Sequence, residues 1–238
     1  MEHDYPFKVI YEDNHLIVVD KESGVLVQED ESGDMPLVEM VRMYLKEKYN
    51  KEGNVFCGIV HRLDRPVSGV IVLAKTSKAL ERMNDLFKNR EVHKTYWAIT
   101  QRPPTKPQGH LIHWLVKDKD RNRVTPYDKE VEGGLKAELY YRVIGEKEGF
   151  YLIEVNPVTG RPHQIRVQLM TQGSVIVGDV KYGYHHPNLD ARIHLHARAI
   201  RFVHPVQKVE MSFATELPDE ELWNLFREIE FIEHRIDV

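Results

Sequence analysis

Short apolar segments with a two-residue period recur along the chain and predict a protein rich in β-strands. The set 12–15 between the first two segments is turn-forming, and a β-branched run at 70–73 is typical of a strand buried on both faces. The predicted strands are 7–11, 16–20, 70–73, 93–99, 111–116, 135–144, 150–155 and 195–204. Several of these are neighbours along the chain, which predicts hairpins, 135–155 above all.

Apolar residues spaced three and four apart predict helices in four places. The first is expected to begin with Asp34 as its N-cap and Pro36 in its first turn, and the second with Ser77 as its cap. Pro162 suits the first turn of a third helix, and a capped fourth helix is expected over 218–226.

The elements together predict an α+β fold, because strands joined as hairpins outnumber the helices. The Pro-rich stretch 103–110 marks a possible subdomain boundary, and the charged, turn-rich stretch 117–130 is predicted to be a mobile loop. With 238 residues the chain holds one large domain or two small ones, and we expect a single catalytic domain over 1–238.

Composition favours a cytoplasmic protein. Hydrophobic residues make up 42% of the chain, and no apolar run approaches the roughly 20 residues that a membrane span needs. The acidic start, residues 1–4, does not resemble a signal peptide, and the single cysteine, Cys57, forbids an internal disulfide. Cys57 precedes His61 by four residues, but a buried apolar role is favoured over a nucleophile.

The charge is unevenly distributed, although the net charge is only −4. From 62 to 106 ten basic residues face four acidic ones, whereas the chain after 211 carries eight acidic residues. A positive face on an acidic protein is compatible with nucleic-acid binding and does not by itself establish it.

The stretch 61–69, His-Arg-Leu-Asp-Arg-Pro-Val-Ser-Gly, is the first that suggests chemistry. Its carboxylate, Asp64, lies between Arg62 and Arg65 on a turn that leads into the buried strand at 70–73. Spacing alone favours a structural ion pair with a neighbouring arginine, since such pairs far outnumber catalytic ones.

The same stretch closely resembles the His-Arg-Leu-Asp signature of RluA-type pseudouridine synthases. In that family the aspartate is catalytic, which implies this role for Asp64. The Lys-Thr-Tyr-Trp-Ala pattern at 94–98 resembles the family's second segment and implies that Tyr96 stacks on the target base. The Thr-Gly-Arg-Pro-His-Gln-Ile-Arg pattern at 159–166 resembles its third segment and implies that Arg166 pairs with the aspartate.

The resemblance implies further residues of the RNA site. Leu195, in the family's last segment, would form part of the pocket wall, and Arg62 would fill the space left by the extruded base. His61, Arg65 and Arg161 lie within the same motifs and are expected to contact the RNA.

The implied reaction converts uridine in RNA to pseudouridine. The glycosidic bond to nitrogen 1 breaks, the uracil turns, and carbon 5 joins the sugar, so neither a cofactor nor a metal is expected. Burial raises the pKa of a carboxylate, and a nearby cation lowers it by about 1–3 units, so a paired arginine is a requirement. Arg62 and Arg65 are alternatives to Arg166 as this cation. The sequence does not distinguish attack on the base, attack on the sugar or removal of a sugar proton by Asp64.

The resemblance also implies the overall arrangement. We expect a long, mostly antiparallel sheet flanked by helices, with an active cleft across its middle, and a structured ribosomal or transfer RNA as substrate. It leaves no room for the N-terminal RNA-binding module of many relatives, and we expect a monomer. Relatives often have proline after the lysine at the position of Lys21, where this chain has Glu22.

Two alternatives remain at this point. A non-catalytic RNA-binding protein or chaperone could share the fold, and a hydrolase with an aspartate nucleophile could act on a small molecule. Histidines that might suggest a metal site match no common zinc spacing. These are His185, His186, His194 and His196.

Overall fold

The structure is a computed structural model that describes residues 5–188 and 190–229. The chain divides into two compact units. The first contains the residues up to Val92 together with Ala199–Thr215, and the second contains His93–Arg198 together with the residues from Glu216 onward. The single catalytic domain over 1–238 stays a prediction, and the acidic tail at 230–238 lies outside the described residues.

The first unit is built on antiparallel strands with two helices. Its strands are β1 (Phe7–Glu12), β2 (Leu16–Lys21), β3 (Gly58–Ile59), β4 (Ser68–Ala74), the end of β10 (Leu195–Val203) and β11 (Glu210–Ala214). β2 pairs with β1 on one side and with β4 on the other, β3 pairs with β4, and β11 pairs with β10. The helices are α1 (Leu37–Lys48) and α2 (Ser77–Lys88).

Apolar residues on both faces place β2 and β4 in the core of this unit. Val18 and Val19 in β2, and Ile71 and Val72 in β4, are fully buried. The turn before β2 is fixed by Asp13, whose Oδ1 accepts hydrogen bonds from the backbone N–H groups of the two residues that precede and begin the strand. The predicted strands are confirmed here, and Cys57 is buried as predicted.

Both helix starts in this unit differ from the prediction. The N-cap of α1 is Pro36, with no side-chain cap, because the Asp34 carboxylate binds Arg65 instead. The N-cap of α2 is Thr76, whose hydroxyl accepts from the Ala79 N–H, so the cap lies one residue before Ser77. Adjacent hydroxyl residues cannot be ranked as caps from composition alone.

The second unit contains a five-stranded antiparallel arrangement and the start of β10. Its strands are β5 (His93–Thr100), β6 (Gln108–Asp118), β7 (Arg123–Tyr127), β8 (Leu135–Lys147) and β9 (Phe150–Pro157), in the order β5-β9-β8-β6-β7. The helices are α3 (Gln164–Thr171) and α4 (Glu221–Asn224). The predicted hairpin of β8 and β9 is confirmed.

Two predictions for this unit are wrong. The stretch 117–130 is not one loop, because it contains the end of β6 and all of β7, which pair as a hairpin. Pro126 is accommodated because β7 is the last strand in this order. The helix expected over 218–226 is confined to Glu221–Asn224.

Two histidines are buried beside Trp223 in the second unit. Burial lowers the pKa of His194 to about 4 and that of His196 to about 3, so both are neutral in the folded protein at pH 7. Their rings lie 5.8 and 5.9 Å from the Trp223 ring. The unfolded chain therefore binds more protons than the folded chain below a pH of roughly 6.5.

Acidification should consequently destabilise the protein below that pH. In His196→Gln we expect the loss of unfolding free energy between pH 7 and pH 5 to be smaller than in the wild type by about 2 kcal/mol, the effect of one titrating group. Urea titrations at the two pH values measure this difference. His185→Gln, at an exposed position, is the matched control, and an equal acid response in all three proteins would contradict the assignment.

The α+β fold is confirmed, with antiparallel pairing at every register described above. No helix in the described part of the chain is long and apolar enough to cross a membrane. Over the same residues, no group of three or more His, Cys, Asp or Glu side chains is arranged to hold a metal ion.

Candidate active site

The half-buried Asp64 lies on the turn between β3 and β4. The Asp64 carbonyl accepts a hydrogen bond of 3.0 Å from the Val67 N–H, which closes the turn. Leu63 and Val67 are buried on either side and fix the turn to the core of the first unit. A carboxylate on a short turn held by two buried neighbours has a defined position.

Lys21 is a neighbour of this turn that sequence reasoning did not assign to the site. Its side chain is fully buried, and its ammonium donates to the backbone carbonyls of Glu22, Val25 and Arg65 at 2.8, 2.9 and 3.4 Å. Burial lowers the pKa of Lys21 to about 7, and the Asp64 carboxylate acts in the opposite direction. Lys21 thus places a buried amine, partly protonated at neutral pH, near Asp64 and ties its turn to the segment after β2.

The other predicted residues near Asp64 are His61, Arg62 and Arg65, and each binds a different group. His61 Nε2 accepts from the Val72 N–H at 3.0 Å, and its ring stacks on Phe87, so it supports the turn from the core side. Arg62 is exposed and donates to the Gln28 side chain at 3.2 Å.

Arg65 binds groups outside the turn that carries Asp64. It donates to the Gly24 carbonyl and forms an exposed ion pair of 2.6 Å with Asp34. The structural ion pair favoured by spacing alone was one between Asp64 and a neighbouring arginine, whereas the carboxylate that Arg65 binds here belongs to Asp34.

In the second unit, Tyr96 lies on β5 opposite Val155 of β9 and is partly exposed. Lys94 precedes it by two residues, so both side chains project from the same face of the strand. Burial lowers the pKa of Lys94 to about 8, and its ammonium lies close to Gly160, where an added Cβ would be 3.8 Å away. The segments around Tyr96 and Gly160 are therefore neighbours.

The motif at 159–166 forms a hydrogen-bonded turn before α3. The Gln164 side-chain oxygen accepts from the Thr159 hydroxyl at 2.7 Å and from the Arg161 N–H at 2.9 Å. The Gln164 amide donates to the Glu138 carbonyl on β8, and Arg161 Nε donates to the Lys136 carbonyl. These bonds explain why Thr, Arg and Gln occur at this spacing.

Arg166 is buried on α3 and held by Asp179, which is also buried. Nε and Nη2 of Arg166 donate to the two carboxylate oxygens of Asp179 at 2.7 and 2.8 Å. The guanidinium carbon lies 5.1 Å from the centre of the Tyr182 ring. A bidentate ion pair and an aromatic face together fix the orientation of the guanidinium.

Tyr182 is itself fixed at its hydroxyl. The oxygen accepts from the Val124 N–H of β7 at 3.0 Å and forms a hydrogen bond of 2.6 Å with Nδ1 of His163. His163 adopts a left-handed backbone conformation with φ of 53°, which is uncommon for a residue other than glycine. The histidine of the motif thus positions the ring beneath Arg166.

Leu195 begins β10 and is buried. The backbone carbonyl of the preceding residue, His194, accepts from the Ile99 N–H of β5 at 2.9 Å. The backbone N–H of His194 donates to the Val177 carbonyl, also at 2.9 Å. Leu195 is therefore anchored to the same strand that carries Tyr96.

Each unit thus presents a fixed set of groups for chemistry on an anionic or polar ligand. The first provides a carboxylate with a buried cation near it, and the second provides an aromatic ring, a charge-compensated guanidinium and an apolar wall. Residues 15–171 match the family model described as RNA pseudouridylate synthase. This chain belongs to that family.

Individual relatives agree with this assignment. A protein of Zymomonas mobilis named ribosomal large subunit pseudouridine synthase D is 32% identical over 227 residues, which cover 91% of this chain and 71% of that protein. Ribosomal large subunit pseudouridine synthase C of Rickettsia felis is 35% identical over 178 residues, covering 74% and 55%. The resemblance to RluA-type pseudouridine synthases is confirmed.

A solved structure, human RNA pseudouridylate synthase domain containing 4, has a TM-score of 0.76 at 25% identity and covers 92% of both chains. As a pseudouridine synthase the protein is an isomerase that acts on RNA.

Lys21, Asp179 and Tyr182 were not predicted from the sequence as parts of the candidate site. The one available signal was a Gly-Asp pair after the apolar residues 176–177, because an aspartate next to a buried segment needs a partner.

Proposed function

We propose that this pseudouridine synthase modifies uridines in large-subunit ribosomal RNA and that Asp64 is its catalytic carboxylate, acting as nucleophile or base. The observation that supports Asp64 most is its place on a fixed, half-buried turn with the buried ammonium of Lys21 nearby. A cation near a partly desolvated carboxylate favours the ionised form that either role requires.

Tyr96 and Arg166 are proposed as the other catalytic residues. Tyr96 offers a partly exposed ring on which a uracil can stack, an interaction worth about 1–3 kcal/mol per base. Arg166 is the guanidinium that the resemblance pairs with the catalytic carboxylate. Two of its N–H groups bind Asp179, and this ion pair fixes the orientation of the guanidinium that would serve this role.

The proposed RNA-binding residues differ in how directly they would act. Arg62 is exposed, and it could occupy the space left when the base leaves the RNA stack, which costs a few kcal/mol. Leu195 is proposed as an apolar wall of the uracil pocket. His61, Arg65 and Arg161 bind protein groups, and we propose that they contribute by shaping the motifs around the RNA.

The substrate proposal rests on the relatives, two of which are named as ribosomal large subunit synthases. Transfer RNA is the other substrate that the sequence left open. We further propose that the enzyme works in the cytoplasm, as a monomer and without a cofactor.

The direct test maps pseudouridine in RNA from cells with and without the gene. We expect at least one large-subunit ribosomal site to lose pseudouridine in the deletion strain and to regain it when the extracted RNA is incubated with purified protein. If the only site that loses pseudouridine lies in transfer RNA, the substrate is transfer RNA and not ribosomal RNA. RNA binding without product at any site would favour the non-catalytic alternative.

A further inference from the structure

An exposed aromatic ring in the first unit is surrounded by lysines. Tyr49 follows α1 directly, and 46% of its surface is exposed. The ammonium groups of Lys48, Lys51 and Lys75 lie 5.6, 5.4 and 4.9 Å from the centre of its ring. We refer to these four residues as the Tyr49 cluster.

One carboxylate, that of Glu12 at the end of β1, binds three of the four residues of the cluster. Its side chain is only 5% exposed and accepts from Lys75 at 2.6 Å, from Lys48 at 2.8 Å and from the Tyr49 hydroxyl at 2.6 Å. The lysine bonds and the Tyr49 bond outweigh the effect of burial, and they hold the pKa of Glu12 at about 2. The carboxylate is therefore ionised at neutral pH, and its position fixes two of the three lysines.

The negative charge of Glu12 does not balance the positive charge of the Tyr49 cluster. Three ammonium groups meet one carboxylate, which leaves two positive charges, and the end of α1 supplies roughly half a negative charge through the helix dipole. Among the described residues, no carboxylate forms an ion pair with Lys51. Crowded like charges repel one another, so an added anion would stabilise this arrangement.

The accessible members face the solvent. The Lys48 side chain is 43% exposed and Lys51 is exposed, whereas Lys75 is 8% exposed and serves as the fixed base of the cluster. The exposed charge sits on a framework held by Glu12 and Tyr49. This differs from an isolated surface lysine, which loses side-chain entropy when it binds.

We propose that the Tyr49 cluster binds phosphates of the substrate RNA, at a position outside the proposed catalytic residues. Lysine binds phosphate as a point charge, and Lys48 and Lys51 present two such charges beside one ring to a nucleic-acid backbone. The inference uses only the RNA substrate class of the family. It therefore does not depend on Asp64 being catalytic or on which uridine is modified.

The cluster should raise the affinity for RNA without reading its sequence. We expect Lys48→Gln with Lys51→Gln to weaken binding of in vitro transcribed large-subunit ribosomal RNA roughly tenfold at about 0.1 M KCl. The slope of log affinity against log KCl should become shallower by roughly 1.5, as expected for two lost phosphate contacts. The rate at saturating RNA should be unchanged, because the lysines bind substrate and do not perform chemistry.

The matched control replaces two exposed lysines of the same unit outside the cluster, Lys8→Gln with Lys208→Gln. It removes the same charge, and its salt slope should equal that of the wild type. In the wild-type protein, bound RNA should also protect Lys48 and Lys51 from amine acetylation, as read by mass spectrometry.

The outcomes separate this inference from the proposed function. Equal salt slopes in both double variants, or full acetylation of Lys48 and Lys51 in the RNA complex, would overturn the cluster as a phosphate site even if the enzyme makes pseudouridine. A shallower slope and protection would uphold it even if the modified RNA differs from the one proposed.

Discussion

Replacing Asp64 with asparagine should reduce pseudouridine formation at least roughly a thousandfold, the scale of removing a catalytic carboxylate. Asparagine keeps the shape of the side chain but can neither attack nor remove a proton. The measurement is single-turnover product formation at saturating RNA. Binding of RNA should persist, because the exposed cations of the first unit are unchanged.

The control for this variant is Asp34→Asn in the same unit. It removes one carboxylate, in this case the partner of Arg65, and should retain most of the activity. Thermal unfolding should be recorded for both variants, because the buried Lys21 loses the attraction of Asp64 in the first of them. A near-normal rate for folded Asp64→Asn would assign the chemistry to another group.

Arg166→Lys should lower the catalytic rate at least about a hundredfold although the charge is kept. Lysine cannot form two parallel hydrogen bonds to Asp179 and still present directed donors elsewhere, since its ammonium is a point charge on a flexible stem. We expect the rate at saturating RNA to fall while the RNA affinity changes little. The same single-turnover assay measures both.

Arg142→Lys provides the comparison for this variant. Arg142 forms a two-bond pair with Glu154 in the same unit, but the arginine side chain is 58% exposed, so its replacement should cost little. Asp179→Asn offers an independent check, because it removes the negative charge that Asp179 places beside the buried Arg166. Loss of a buried partner typically costs about 3–5 kcal/mol of stability. Activity in Arg166→Lys equal to that in Arg142→Lys would contradict the role of the guanidinium.

Strands were predicted better than helix ends because their signal is a repeated pattern. The run at 70–73 is buried on both faces, and its boundaries differ from β4 by two residues or fewer. Helix starts depend on single side chains with competing uses. Asp34 is a good cap by composition, yet its carboxylate binds an arginine 31 residues away.

The strand β7 was missed for a similar reason. Its five residues alternate, but charged neighbours and Pro126 dominate the composition of 117–130. Only Val124 is deeply buried, so the apolar signal consists of a single residue. A short edge strand with one buried side chain contains too few apolar residues to show the two-residue period of a strand.

The candidate residues were predicted from sequence motifs, whereas the buried residues that hold them in place were not predicted. Asp179 lies 13 residues after Arg166, whereas side chains that meet on one helix face are three or four residues apart. Only the tertiary fold brings the two residues together. Lys21 ends a buried strand and looks like an ordinary boundary lysine in the sequence. Its burial follows from three carbonyl groups contributed by two separate segments.

The three bonds of Lys21 all reach main-chain oxygens, so these hydrogen bonds do not require a particular side chain at 22, 25 or 65, although the charges of Glu22 and Arg65 act on the pKa of the ammonium. The turn that carries Asp64 is therefore tethered to the segment after β2 through a main-chain oxygen. The Glu22 N–H donates to the Pro6 carbonyl at 3.1 Å, a bond that a proline at position 22 could not form. The Glu22 bond thus holds the segment after β2 to the residue before the first strand, and the Lys21 ammonium holds the same segment to the turn that carries Asp64.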